Sequence, residues 1–132
     1  MDYFFDLKNT VKHALAEDVG DGDLTAQLIG ESTKASAKII TREQTVICGK
    51  AWAEETVFQV DPEVKTRWHF NDGEQVSSGE ELVRLEGKAR SILTAERTML
   101  NFLQILSAVA TKTRSLTERI KDTNTLLLDT RK

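Results

Sequence analysis

A chain of 132 residues that is 39% hydrophobic and 30% charged carries enough apolar side chains for one folded core, which excludes a disordered or low-complexity protein. A formal net charge of −3 leaves no footprint for broad nucleic-acid binding. No apolar run reaches membrane-spanning length, and the start Met1-Asp2-Tyr3 lacks the basic opening of a signal peptide, so a cytoplasmic protein without a membrane partner is expected.

Apolar residues at Phe4, Leu7, Val11, Ala14 and Leu15 recur at helical spacing and predict an N-terminal helix with one buried stripe. The turn residues from Asp18 to Asp23 end it. Asp23, just ahead of Leu24, is placed to cap a short second helix. The clustered aspartates invite comparison with a calcium loop, but the twelfth position counted from Asp18 is Ile29, where such a loop needs a bidentate glutamate. The two histidines, His13 and His69, stand too far apart for a metal-binding spacing.

Residues 32–86 switch to short strands. Residues 35–41 and 44–49 read as strands parted by a polar turn, residues 63–70 alternate with period two, and a short helix is expected over 52–60 with Trp52, Val57 and Val60 on its apolar side. Cys48, the one cysteine, excludes an internal disulfide and reads as a packed thiol rather than a nucleophile. Gly73, Gly79 and Gly87 punctuate residues 71–87 at near-regular intervals, as in a compact folded-over sheet with tight corners. This stretch resembles the half-motif of the barrel-sandwich hybrids, the fold shared by biotinyl and lipoyl carriers. No lysine stands at an evident hairpin tip, and Lys65 and Lys88 read as solvated surface residues.

Residues 89–121 form the longest helical stretch. Ile92, Leu93, Met99, Leu100, Phe102, Leu103, Ile105, Leu106, Val109 and Ala110 surround much of it, so burial on more than one side is expected. Arg97, Asn101, Gln104, Ala108 and Thr111 fall on a polar or small stripe at steps of three and four. That stripe is either a solvent-facing edge or a rigid support that aims Arg97 at an anion or across a subunit interface. Ser107 and Thr111 are expected to break the helix before a second piece through Leu116 and Ile120. The apolar run Asn124-Thr125-Leu126-Leu127-Leu128 reads as a buried strand, and Asp129-Thr130-Arg131-Lys132 would put a hydroxyl and two cations at its carboxyl end, where parallel α/β folds place ligands. One such strand is not a sheet, so the chain is expected to be the front part of a longer protein.

Four motifs occur in order. They are Ala14-Leu15-Ala16-Glu17-Asp18 with Gly22-Asp23-Leu24-Thr25, then Leu93-Thr94-Ala95-Glu96-Arg97-Thr98-Met99-Leu100-Asn101-Phe102-Leu103-Gln104, then Leu106-Ser107 through Ala110-Thr111, and finally Asp129-Thr130-Arg131-Lys132. Together they resemble the quinolinate phosphoribosyltransferases, the nicotinate-nucleotide pyrophosphorylases (carboxylating) of NAD biosynthesis. Ile105 and Ala108 depart from the arginine or histidine and the glycine expected there, which touches local packing.

The resemblance implies an α+β protein. An N-terminal barrel-sandwich-hybrid (α/β-hammerhead) domain with helices would occupy residues 1–111, and residues 112–132 would begin a truncated α/β barrel with its first strand. It further implies a homodimer or higher homo-oligomer with shared active sites. The implied reaction joins the ring nitrogen of quinolinate to the ribose of phosphoribosyl pyrophosphate (PRPP), releasing pyrophosphate and then one carboxylate as carbon dioxide. Magnesium bound with PRPP would stabilise the leaving group, and its ligands and the catalytic carboxylates are expected beyond Lys132. By position, Thr130, Arg131 and Lys132 would bind quinolinate from their own barrel, and Arg97 would reach the neighbouring subunit's site. Arginine suits this because its planar fork matches a carboxylate with two parallel hydrogen bonds. The 132 residues alone are expected to be inactive. Two alternatives stay open: a related barrel transferase with another acceptor, and a non-catalytic carrier module, which the missing tip lysine and the long helix disfavour.

Overall fold

The computed structural model describes residues 4–20, 26 and 28–128. In chain order the elements are α1 (Leu7–Val19), β1 (Lys34–Ile40), β2 (Thr45–Val46), α2 (Lys50–Val60), β3 (Lys65–Trp68), β4 (Gln75–Val76), β5 (Glu81–Lys88) and α3 (Ala89–Ile120). The class is the α+β one expected. The short helix proposed after Asp23 falls largely outside the described residues.

The sheet is ordered β1-β5-β3 and is antiparallel throughout. Its central strand explains the order: in β5 the side chains of Val83 and Leu85 enter the core while Arg84 and Glu86 face out, the alternation that the pleat imposes. Ala35, Ala37 and Ile39 of β1 stand opposite Gly87, Leu85 and Val83, so the apolar side chains of β1 line up on the core face. Gly87 is needed where it stands, because a Cβ there would lie 2.8 Å from Val64 Cγ2 and 3.1 Å from Val64 Cα. Onto this face pack Ala53 and Val57 of α2 with Ile92, Ala95, Met99 and Leu103 of α3. A smaller cluster of Ile47, Val76 and Leu82 fills the other side of the sheet, beneath the two-stranded β2-β4 ribbon.

The strand expected over residues 44–49 shortens to Thr45–Val46. Gly49, at φ +107°, turns the chain into α2, and the Gly73 amide donates to the Ile47 carbonyl at 2.7 Å to continue the pairing without a regular ladder. α1 packs across α2, with Val11 fully buried, Phe4 stacked obliquely on Trp52 at 5.3 Å, and the Gln59 side-chain amide donating to the Lys8 carbonyl at 2.9 Å.

α3 corrects the sequence reading twice. It runs unbroken through Ser107 and Thr111, where a break is expected. Those two hydroxyls do not interrupt the helix because they are used against β2 and the residues just after it. Ser107 Oγ accepts from the Cys48 amide at 3.0 Å and donates to the Cys48 carbonyl at 3.1 Å. Thr111 Oγ1 accepts from the Val46 amide at 2.8 Å, donates to the Ser107 carbonyl at 2.7 Å and meets Thr45 Oγ1 at 2.8 Å. The second correction concerns burial. Ala89, Ile92, Ala95, Thr98, Met99, Leu103 and Ser107 form one buried face, while Leu93, Ile105 and Val109 are exposed, since the sheet and α2 cover one side only.

Residues 124–128 do not form the buried strand expected of them. They are irregular and exposed, because a lone strand has no ladder to join among the described residues. No helix among those residues is long and apolar enough to cross a membrane.

Candidate functional site

Arg97 stands on the first half of α3, on the stripe that also carries Asn101, Gln104 and Ala108. All four are exposed and Thr111 is half-buried, so the stripe faces solvent in this chain. The helix beneath it is rigid because the adjoining turn is anchored in the core by Ala95, Met99 and Leu103. Arg97 is thus presented outward from a fixed backbone, with its side chain 76% exposed.

One neighbour orients it. Asp18, in the last turn of α1, accepts from Arg97 Nη1 through Oδ1 at 3.0 Å and from the Thr98 hydroxyl through Oδ2 at 3.1 Å. Thr98 is buried, the Asp18 side chain is only 19% exposed, and the carboxylate therefore lies where the α1–α3 contact meets solvent. Consecutive helical residues point about 100° apart, which is why Thr98 can approach from the core side and Arg97 from outside. Sequence reasoning did not find this link. The partners are 79 positions apart, and in the sequence Asp18 reads only as the end of the first motif segment and the start of the turn that closes the helix.

Thr130, Arg131 and Lys132, the other candidate ligand-binding residues, lie outside the described residues. Alongside the stripe, an open groove of about 1140 Å³ runs between β1 and α3, with Leu85, Met99 and Leu103 in its floor and Lys38, Arg42 and Glu96 among its rim. Gln104, Ala108 and Thr111 line it, but Arg97 does not. The groove and the arginine are therefore neighbouring features on one helix rather than one site.

Several of the remaining charged groups are occupied with one another. Arg84 grips Glu81 with two hydrogen bonds, at 2.8 and 2.9 Å, and His69 Nε2 meets the same carboxylate at 3.2 Å. The Arg84 contact chiefly holds the Glu81 carboxyl below the usual carboxylate range. Asp61 is held low by the Ser91 hydroxyl at 2.6 Å and the Glu63 amide, with Lys88 adding attraction. Lys88 itself binds Glu63 at 2.9 Å, which makes it a tethered surface cation rather than a displayed carrier lysine. Burial, followed by the nearby Asp72 charge, pushes the Cys48 thiol up, away from the reactive thiolate. Among the described residues no group of three or more His, Cys, Asp or Glu side chains is arranged to hold a metal ion.

Comparison with known proteins places this arrangement in context. A family model described as quinolinate phosphoribosyl transferase, N-terminal domain, matches residues 23–107. A protein of Nicotiana tabacum named quinolinate phosphoribosyltransferase (decarboxylating) 1b is 38% identical over 130 residues, covering 97% of this chain and 37% of the relative. A Bacillus subtilis protein named probable nicotinate-nucleotide pyrophosphorylase (carboxylating) is 35% identical over 126 residues, covering 96% of this chain and 44% of the relative. The solved structure of the nicotinate-nucleotide pyrophosphorylase from Francisella tularensis superposes with a TM-score of 0.91 at 42% identity, covering 95% of this chain and 45% of that one. The chain spans less than half the length of each of these relatives.

Proposed function

Because the chain belongs to the quinolinate phosphoribosyltransferase N-terminal-domain family, we propose that the protein carrying it makes nicotinate mononucleotide from quinolinate and PRPP, releasing pyrophosphate and carbon dioxide. The match of fold and sequence over nearly the whole chain carries the reading. The outward Arg97 supports it chemically. Quinolinate bears two carboxylates on a pyridine ring, and a guanidinium on a rigid helix can meet one of them with a charge-assisted pair of hydrogen bonds.

In this reading Arg97 serves the neighbouring subunit's site in a homodimer, and Thr130, Arg131 and Lys132 bind quinolinate from their own subunit. Their combined effect is orientation: the ring nitrogen is held facing the ribose carbon whose bond to pyrophosphate breaks. Positive charge builds on the ribose as that bond breaks, and the departing pyrophosphate takes the electron pair. Magnesium, arriving with PRPP and held by residues other than those described, would supply charge stabilisation on the leaving group. These 132 residues alone have no turnover, since two substrates cannot be oriented by one face of one helix. A reducing cytoplasmic compartment suits the single, unpaired Cys48.

The test is carbon dioxide release from carboxyl-labelled quinolinate by the purified full-length enzyme. Release should require PRPP and should accompany formation of the mononucleotide. Turnover of nicotinate with quinolinate left untouched would move the protein to a different acceptor.

A further inference from the structure

We infer that Asp18 is a positioning residue for Arg97, a role that rests on the placing of Arg97 in the quinolinate site proposed above. The carboxylate is fixed from one side by the buried Thr98 hydroxyl and with its other oxygen steadies the guanidinium. Each oxygen has its own task, so the anchor does not swing when the arginine moves. Asp18 is also bound through its backbone to the last turn of α1, an element packed on both α2 and α3. The arginine is thereby tied to two helices rather than one.

The geometry favours orientation over stability as the purpose. An ion pair between an arginine this exposed and a carboxylate adds little to folding. A long side chain ordered before its ligand arrives, however, no longer loses that freedom on binding. Among the described residues Asp18 is the one hydrogen-bond partner of the Arg97 side chain, and it engages Nη1. Nε and Nη2 remain to form the two-pronged contact with a second carboxylate. Asp18 thus selects which edge of the guanidinium faces outward.

The experiment is a double-mutant cycle in the full-length enzyme. Asp18→Asn, Arg97→Ala, the double variant and Thr98→Val are compared for quinolinate KM, PRPP KM, kcat and melting temperature. Asp18→Asn should raise quinolinate KM about three- to tenfold, the cost of ordering one long side chain, with PRPP KM unchanged. It should add nothing further once Arg97 is alanine. Thr98→Val keeps the ion pair but removes the support beneath it, so it should give a smaller rise in the same parameter even if Asp18→Asn fails to fold.

Three results overturn the proposal, and each points elsewhere. If Asp18→Asn lowers the melting temperature and leaves quinolinate KM alone, Asp18 merely ties α1 to α3. If its effect on KM persists in full in the Arg97→Ala background, it acts through another group. If Arg97→Ala itself leaves quinolinate KM unchanged, the assignment of Arg97 to the site fails, and the positioning role fails with it.

Discussion

The two halves of α3 are one helix held by different forces. From Ala89 to Ser107 seven side chains are buried, four of them in the core with the sheet and α2; after Ser107 none is. The first half is helical because an amphipathic face has a core to enter, the usual source of helix stability in proteins. The second half continues on local hydrogen bonding and on the Thr111 hydroxyl that pins it to β2. Arg97 lies in the first half, where the backbone is least able to shift. A side chain that must meet a ligand in a fixed orientation is best mounted there, whereas the exposed second half can change without disturbing the core.

The sharpest way to break this contrast is to cut the core beneath the first half. Met99 is 1% exposed, and Met99→Ala should cost about 2–5 kcal/mol of unfolding free energy through lost burial and the cavity left behind. Val109, 60% exposed on the second half, should change stability by less than about 0.5 kcal/mol when replaced by alanine. Urea denaturation of both variants measures the contrast. Equal losses would show that the second half is covered by something that packs as tightly as the core.

Arg97→Ala should leave folding intact and weaken quinolinate binding by a charge-assisted hydrogen bond's worth, about 1.5–3 kcal/mol. Mixing full-length Arg97→Ala with Arg131→Ala probes whether it acts across subunits. A heterodimer gathers both lesions in one site and leaves the other whole, so activity should return towards half the normal value per heterodimer. Exchange without recovery would return Arg97 to its own subunit.

A smaller effect belongs to the pin at the junction of the halves. Thr111→Val keeps the shape but leaves the Val46 amide without its acceptor, for a loss of about 1 kcal/mol and faster hydrogen exchange at that amide. Unchanged protection would mean that water replaces the hydroxyl at no cost. The smallest effect is a pH dependence at the start of α3, where Ser91 donates to Asp61. The Asp61 carboxyl titrates below its ordinary value in the folded chain, so its contribution is present above the unfolded pKa and is lost as pH falls through the lower, folded one. Asp61→Asn should flatten the acid limb of the stability curve there, and only slightly, because the lowering rests on one hydroxyl, one amide and a half-exposed lysine. A curve identical to wild type down to the acid transition would assign that limb to other carboxylates.

What could be read from the sequence was periodic and local. The alternation over residues 63–70 reports β3, and the spacing of Ile92, Met99 and Leu103 reports the buried face of α3, since both follow from side-chain geometry along one element. Apolarity says nothing about whether a partner exists. Ile105 and Val109 are as hydrophobic as Leu103, yet they lie on the face that the sheet does not reach. For the same reason residues 124–128 looked like a buried strand and are an exposed segment. Ser107 and Thr111 looked like helix breakers because hydroxyls compete with the helix for backbone groups; the competition is resolved by a strand some 60 residues earlier in the chain. In the candidate site, Arg97 could be singled out from the sequence, but the carboxylate that orients it could not.

The two hydroxyls that α3 lays against β2 also bear on self-association. A strand with free amides and carbonyls along one side is a template on which another strand can add, and proteins commonly shield it with a charge, a bulge or a covering element. Here β2 is paired with β4 on one side, while on the other Ser107 and Thr111 take up the Cys48 amide and carbonyl and the Val46 amide. The helix supplies the hydrogen bonds of a neighbouring strand without offering an edge of its own. Sheet growth from one molecule into the next is closed off at this position, so chains that associate along this face must meet through α3 side chains.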